Sequence, residues 1–259
     1  MKLRLTIVSI ALSGFALTAG AMPVASAAPI KHATLGRGAP LASWPGLTSS
    51  NWSGYATPLS AKVTYAGGTW KVPKVTPQTG YSSSWVGVDG YSNNNLIQTG
   101  TEQDYVNGHF VYRAWWEILP AAETVIPSLP VSPGDTFSAS VTNTAGNNWV
   151  ITITNETKGK TFSINKSYNG PGTSAEWIQE APSNGSGVLP LAHYKKTQFD
   201  KLTVGRNFAS PSNASISFPS NAIAMVQKGK QVSTPSRPTQ NSFNIAYGKN
   251  QPGPPAKAH

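Results

Sequence analysis

The 259 residues contain no cysteine, only ten acidic side chains, and no uninterrupted apolar run of the ~20 residues that a membrane span needs. Without cysteine there is no thiol nucleophile, no thiolate metal site and no disulfide staple, so the core must stabilise the chain unaided. That favours one sizeable domain over two small ones. Histidines are also few, four in all, and none forms the His-Glu-x-x-His cluster of a zinc hydrolase. Phosphate-cradling glycine loops are missing, as is a repeated Asp-Thr/Ser-Gly pair of the aspartic-dyad kind. No metal or cofactor is expected. The formal charge of +10 reflects scarce acids more than abundant bases, because charged residues make up only 12% of the chain. The densest cationic groups, Lys195-Lys196 and Lys228-Gly229-Lys230, read as solvated turns, so no nucleic-acid partner is expected. Acid unfolding largely reflects protonation of carboxylates paired in the native state, and a chain with few of them suits an acidic exterior.

Residues 1–27 have the parts of a secretory signal. Lys2 and Arg4 supply the charged start, Leu5 to Ala21 is mostly apolar, and Ala25-Ser26-Ala27 is a small-residue cleavage site. Export to the exterior follows, with no membrane attachment after cleavage and a monomer expected. Residues 28–48 mix Gly, Pro, Ala and isolated cations without periodicity, as a short leader, propeptide or flexible arm would. From Asn51 short β-rich runs alternate with turn signals such as Gly134-Asp135, Lys158-Gly159-Lys160 and Asn169-Gly170-Pro171-Gly172. Thr136–Thr142 and Trp149–Thr154 alternate with period two, and no window carries a helical pattern longer than about two turns. The spacing predicts an all-β sandwich over residues 49–248, followed by a flexible tail, 249–259.

Two segments carry the chemistry. Leu96-Ile97-Gln98-Thr99-Gly100 and Ala175-Glu176-Trp177-Ile178-Gln179-Glu180 each set a carboxamide or carboxylate into a strand pattern, where burial without a partner is costly. Glu176 and Glu180 share a strand face with ~13 Å between their α-carbons, and spacing alone does not choose between them. Serine chemistry would have to use His109 or His193, since His32 and His259 fall in segments expected to be flexible, and a triad with His193 and Asp200 is the candidate. A glycosidase pair drawn from Asp89, Glu117, Glu176 and Glu180, with Trp85, Trp115 and Trp116 stacking on sugar rings, is the competing reading.

Asn51-Trp52-Ser53-Gly54-Tyr55, Trp85-Val86-Gly87-Val88-Asp89-Gly90, Ile97-Gln98-Thr99-Gly100, Trp115-Trp116-Glu117 and Ala175–Glu180 occur in that order. Together they resemble the glutamic peptidases called eqolisins, over about residues 50–247. The resemblance implies a sandwich of two antiparallel sheets and a pepstatin-insensitive endopeptidase acting on proteins or peptides at acid pH. It places the catalytic glutamine on Gln98 and the catalytic glutamate on Glu180. It also aligns Trp52, Trp85, Asp89 and Glu117 with the cleft, and Trp115 is counted with them as substrate-facing. Glu176 is left a structural role, as partner of an arginine or a backbone amide. Fungal members tend to be acidic and can contain disulfides; this chain is basic and has neither cysteine nor a long acidic pro-region.

Overall fold

Alternating burial is what organises this molecule. In a strand, successive side chains face opposite sides, so an alternating segment buries one face and wets the other. The computed structural model describes residues 30–256, which contain strands, turns and bends and no α-helix. The expected signal segment, 1–27, lies outside the described residues. The first half of the chain forms β1 (Leu47–Ser49), β2 (Trp52–Pro58), β3 (Val63–Lys71), β4 (Ser83–Val88), β5 (Ile97–Val106), β6 (His109–Ile118), β7 (Thr124–Val125), β8 (Thr136–Ala145) and β9 (Asn148–Asn155). The second half forms β10 (Lys160–Ser167), β11 (Ser174–Glu180), β12 (Ser183–Asn184), β13 (Gly187–Val188), β14 (Lys196–Arg206), β15 (Ser212–Asn213), β16 (Ala222–Gln227), β17 (Lys230–Pro235) and β18 (Phe243–Tyr247).

The main ladder runs β10-β9-β8-β3-β14-β18-β17-β16-β2-β11-β4-β5-β6-β7 and folds over on itself, so that β3, β8 and β9 pack against β4, β5 and β11. The result is a sandwich of two antiparallel layers joined along one edge, as the turn spacing predicted. Its core takes Trp70, Phe137, Val141, Ile151 and Phe199 from one layer and Tyr55, Val86, Val88, Ile97 and Trp177 from the other. Two indoles also hydrogen-bond across it: Trp177 Nε1 donates to the Gly67 carbonyl at 2.8 Å and Trp70 Nε1 to Thr101 Oγ1 at 2.9 Å. A buried indole N–H without such a partner would be costly, so the pairs fix how the layers register.

The register of β2-β11-β4-β5-β6 sorts the outer face of the second layer into three rows. One row is Trp52–Glu180–Ser83–Glu102–Arg113, the next Gly54–Ile178–Trp85–Gly100–Trp115, and the third Ala56–Glu176–Gly87–Gln98–Glu117. Gly100 is the opening that the middle row needs. A Cβ there would sit 2.3 Å from the Ser84 carbonyl oxygen and 2.6 Å from Trp85 Cβ. Gly100→Ala is expected to lower unfolding stability by about 1–3 kcal/mol, measured by urea denaturation, because neither neighbour is a flexible side-chain end.

The segment expected as a leader or flexible arm packs against this layer from Ile30 onward. Lys31 bridges Ser183, Arg37 bridges Ser49, and β1 pairs in parallel with β16. The described part of the expected tail is also held: Asn244 Nδ2 donates to the Gly253 carbonyl, and Thr239 Oγ1 to that of Pro255.

Candidate active site

Seven of the ten acidic residues are buried, an unusual share for side chains that proteins keep in water. Each must be neutralised by a proton, a cation or a full set of donors. The rows above gather four of them, Glu102, Glu117, Glu176 and Glu180, on one sheet face, together with Gln98.

Glu180 ends β11. Its Oε2 accepts from Trp85 Nε1 at 2.7 Å and from His32 Nδ1 at 3.1 Å. Its Oε1 accepts from the Ala33 amide at 3.0 Å and from Asn51 Nδ2 at 3.4 Å. Gln98, on β5, donates Nε2 to Glu117 Oε2 at 2.7 Å, and its own Oε1 is buried without a partner. In a flat sheet the Gln98 and Glu180 α-carbons would lie about 16 Å apart on the diagonal. Their side chains are linked through what lies between: Glu117 Oε1 accepts the His32 amide at 3.2 Å, and the ring of the same His32 reaches Glu180.

The tryptophans wall this space. Trp52 and Trp85 pack edge to face at 5.0 Å, and Trp52 Nε1 donates to the Ala33 carbonyl at 2.9 Å. Trp115 stacks on the His32 ring at 3.7 Å and donates its N–H to Ser83 Oγ at 3.0 Å. So Trp52, Trp85, Trp115 and Glu117 surround the same space as Gln98 and Glu180. Asp89 is not brought there. Its backbone turns at φ 73°, before Gly90 at φ 93°. Its carboxylate accepts from Tyr168, the Gly172 and Thr173 amides, Thr173 Oγ1 and Asn93, which anchors the 170–173 loop. Glu176 has neither the arginine nor the amide expected for it: both its oxygens are buried without a partner. The alternative triad does not form, since His193 packs at a tilt against Tyr247 and Asp200 accepts from Gln198.

Four residues that the sequence reading passed over complete the cluster. His32, expected in a flexible end, is fully buried between Glu180 and Glu123, its Nε2 3.1 Å from Glu123 Oε2. Arg113 pairs with Glu102 across β5–β6 and reaches Glu123 Oε1 at 3.4 Å. His32, Glu102 and Glu123 offer three potential metal-donor atoms within 4.8 Å of one another. The Arg113 guanidinium already supplies the cation beside both carboxylates, and the arrangement is an ion-pair network.

Burial dominates the titration of these groups. It raises Glu117 from its ordinary value to about 8, opposed by His32 and by the Gln98 bond. It raises Asp104 to about 7 and holds Glu102 and Glu176 well above the carboxylate range. Burial alone would lower His32, but Glu180 and Glu123 more than offset this and hold its ring well above the usual imidazole value.

Residues 50–247 match the Peptidase A4 family. The chain belongs to that family. This makes it a glutamic peptidase, a hydrolase of the eqolisin group. It is 28% identical over 196 residues to aspergillopepsin-2 from Aspergillus niger, covering 65% of this chain and 69% of that protein. Among solved structures, the aspergilloglutamic peptidase from Aspergillus niger is 25% identical with a TM-score of 0.57, over 65% of this chain and 99% of that one. A scytalido-glutamic peptidase, solved with a transition state analog inhibitor, shares the fold at a TM-score of 0.66 and 24% identity, over 76% of this chain and 98% of its own.

A carboxyl whose folded value lies above its unfolded value, about 4, contributes stability below that unfolded value and loses it as pH rises through the folded one. With Asp104 at about 7 and Glu117 at about 8, this peptidase is expected to be most stable in mild acid. Its melting temperature should fall by at least about 5 °C between pH 5 and pH 8 in thermal scans. A flat or rising profile would contradict the assignment of buried neutral carboxyls.

Proposed function

We propose that this chain is a secreted, pepstatin-insensitive endopeptidase that hydrolyses peptide bonds at acid pH, with Glu180 and Gln98 as its catalytic pair. The observation that carries the reading is the hydrogen-bonded path Gln98–Glu117–His32–Glu180, which sets the amide and the acid on either side of one tryptophan-walled space.

The chemistry requires three services. An ionised Glu180 accepts a proton from water as its oxygen attacks the scissile carbonyl carbon, and later returns that proton to the departing amine nitrogen. Gln98 orients the water and donates an N–H to the oxyanion of the tetrahedral intermediate. Trp85, donating to Glu180 Oε2, orients the carboxylate without adding charge.

Glu117 prepares Gln98. Burial lets it keep its proton up to about pH 8, so throughout acid conditions it is a neutral donor. Its O–H needs an acceptor, and Gln98 Oε1 is a buried oxygen that needs a donor. With the carboxamide turned over, Glu117 donates to Oε1 and both Nε2 hydrogens face the reacting carbonyl.

Substitutions separate these roles. Protein hydrolysis at about pH 4, followed by peptide release with pepstatin present, should fall by roughly 10³-fold or more in Glu180→Gln and by 10²–10³-fold in Gln98→Ala. Undiminished cleavage in both would reject the pair. Glu117→Gln, which keeps a donor for Gln98 but has no proton to lose, should hold kcat within about tenfold; Glu117→Leu should lose roughly 10²-fold. Equal losses in the two variants would remove Glu117 from the mechanism.

A further inference from the structure

The outer face of the first layer carries hydroxyls where the second layer carries carboxyls. Register across β10-β9-β8-β3-β14 sets Ser163–Thr152–Ser140–Gly67–Thr203 in one row and Thr161–Thr154–Ser138–Thr69–Asp200 in the next. Each hydroxyl can both donate and accept. Thr152 bonds Ser163 at 3.1 Å and Thr154 bonds Thr161 at 2.9 Å, which holds part of the array in place. Threonine is an ordinary strand residue, so the hydroxyls alone point to no ligand. The shape of the face does.

Three cavities of about 290, 660 and 540 Å³ run end to end along β3 and β14. The first and second share Thr69 and Lys201 as walls, and the second and third share Gln198. Tyr65 lines one end and Lys71 the other, six strand steps away, so the groove is roughly 20 Å long. Tyr65 lies down over Gly67, where a Cβ would stand 2.4 Å from its hydroxyl oxygen and 2.8 Å from its Cζ. Its half-buried ring is therefore laid along the sheet as a plate. Between Asp200 and Thr203 the strand β14 bulges, and Lys201 in the bulge has φ 51°. A lysine seldom adopts this left-handed backbone, and a bulge re-aims the side chain it carries. Here it puts an exposed cation on the wall common to two cavities.

The charged residues of this groove are Lys71, Lys74, Lys196 and Lys201 against Asp200 and Glu156. Both acids are already engaged. Gln198 Nε2 donates to the two oxygens of Asp200 at 2.8 and 2.9 Å, and Ser138 donates to Glu156. What faces a ligand is a positive excess, a field of hydroxyls and an aromatic plate. We propose that the groove binds an acidic polysaccharide, a chain of sugar rings bearing carboxylates. Its carboxylates would meet the lysines, its hydroxyls the Ser and Thr rows, and the apolar face of a ring would rest on Tyr65. A peptide suits the groove less well. β3 lies between β8 and β14, and β14 between β3 and β18, so neither offers a free edge to a peptide backbone. The groove is on the opposite side of the sandwich from Gln98 and Glu180. A held polysaccharide would leave that face open, and would keep the peptidase at a surface coated with such chains.

The test is titration calorimetry of the full chain with polygalacturonate at about pH 5, where uronate and lysine are both charged. A neutral soluble β-glucan and poly-glutamate serve as the comparison polymers. Polygalacturonate should bind at least about tenfold more tightly than either, and more weakly as salt is added. Tyr65→Ala and Lys201→Gly, the second chosen because glycine accepts the backbone of the bulge, should each weaken that binding at least about fivefold. Hydrolysis of a short soluble peptide should be unchanged in both. Equal binding of poly-glutamate would reduce the effect to bare charge and overturn the proposal. So would equal binding of the neutral glucan, or no binding of polygalacturonate. A higher KM for a protein substrate in the two variants, with polygalacturonate held as before, would give the groove to a peptide instead. Should Tyr65→Ala not fold, Lys71→Gln and Lys74→Gln, both at exposed positions, decide beside Lys201→Gly. Polygalacturonate binding equal to the parent's in all three would refute the site.

Discussion

Burying carboxyl groups in the face of a sheet is the constraint on which the rest of this structure depends. Water solvates an ionised carboxylate far better than a protein interior does, so each buried acid has to be given donors, given a cation, or left its proton. The molecule uses all three. Asp89 receives five donors from the loop it anchors and from Asn93 and Tyr168. Glu102 is paired with Arg113. Glu176, with no partner for either oxygen, is held neutral by burial, and Glu117 keeps its proton to about pH 8. Glu180 receives four donors, one of them the His32 ring that it helps to keep protonated.

These choices agree with an acidic working environment. Neutral buried acids cost nothing extra to protonate when the surroundings turn acid, whereas a core built on ionised pairs would lose them. A protonated Glu117 is also useful where an ionised one would not be. It can donate to Gln98 and turn the carboxamide N–H groups outward, while a carboxylate can only hold them to itself. Composition pointed the same way through the scarcity of acids, but it gave no hint that most of the few present are interior.

Much of the fold was legible because sandwich strands write their burial into the sequence. Thr136–Thr142 and Trp149–Thr154 alternate and form β8 and β9, and Trp177, opposite in parity to Glu180, packs in the core. Where polar residues are buried, that signal fails. The run Thr101-Glu102-Gln103-Asp104 is fully interior, yet its polar composition carries no apolar alternation, and Glu102 went unnoticed. The segment around His32 was hidden for a different reason. Its attachment is mainly backbone amide to side chain and carbonyl, which leaves no periodicity, and Gly and Pro nearby suggest a flexible arm. Asp89 was misjudged because a turn aspartate beside a cleft tryptophan looks the same whether it faces substrate or anchors a loop.

The middle row of the sheet face explains why base and amide stand apart rather than in contact. Trp85 lies between the Glu180 row and the Gln98 row, and its indole must cross toward Glu180 to donate its N–H. Position 100 beside it has no side chain, and a Cβ there would stand 2.6 Å from Trp85 Cβ. A side chain there would collide with the Ser84 carbonyl and with the Cα and Cβ of Trp85, and so disturb the residue whose indole donates to Glu180. The glycine in Ile-Gln-Thr-Gly and the tryptophan facing it therefore act as a unit. Together they hold an indole N–H against the Glu180 carboxylate, a donor that belongs to the sheet itself.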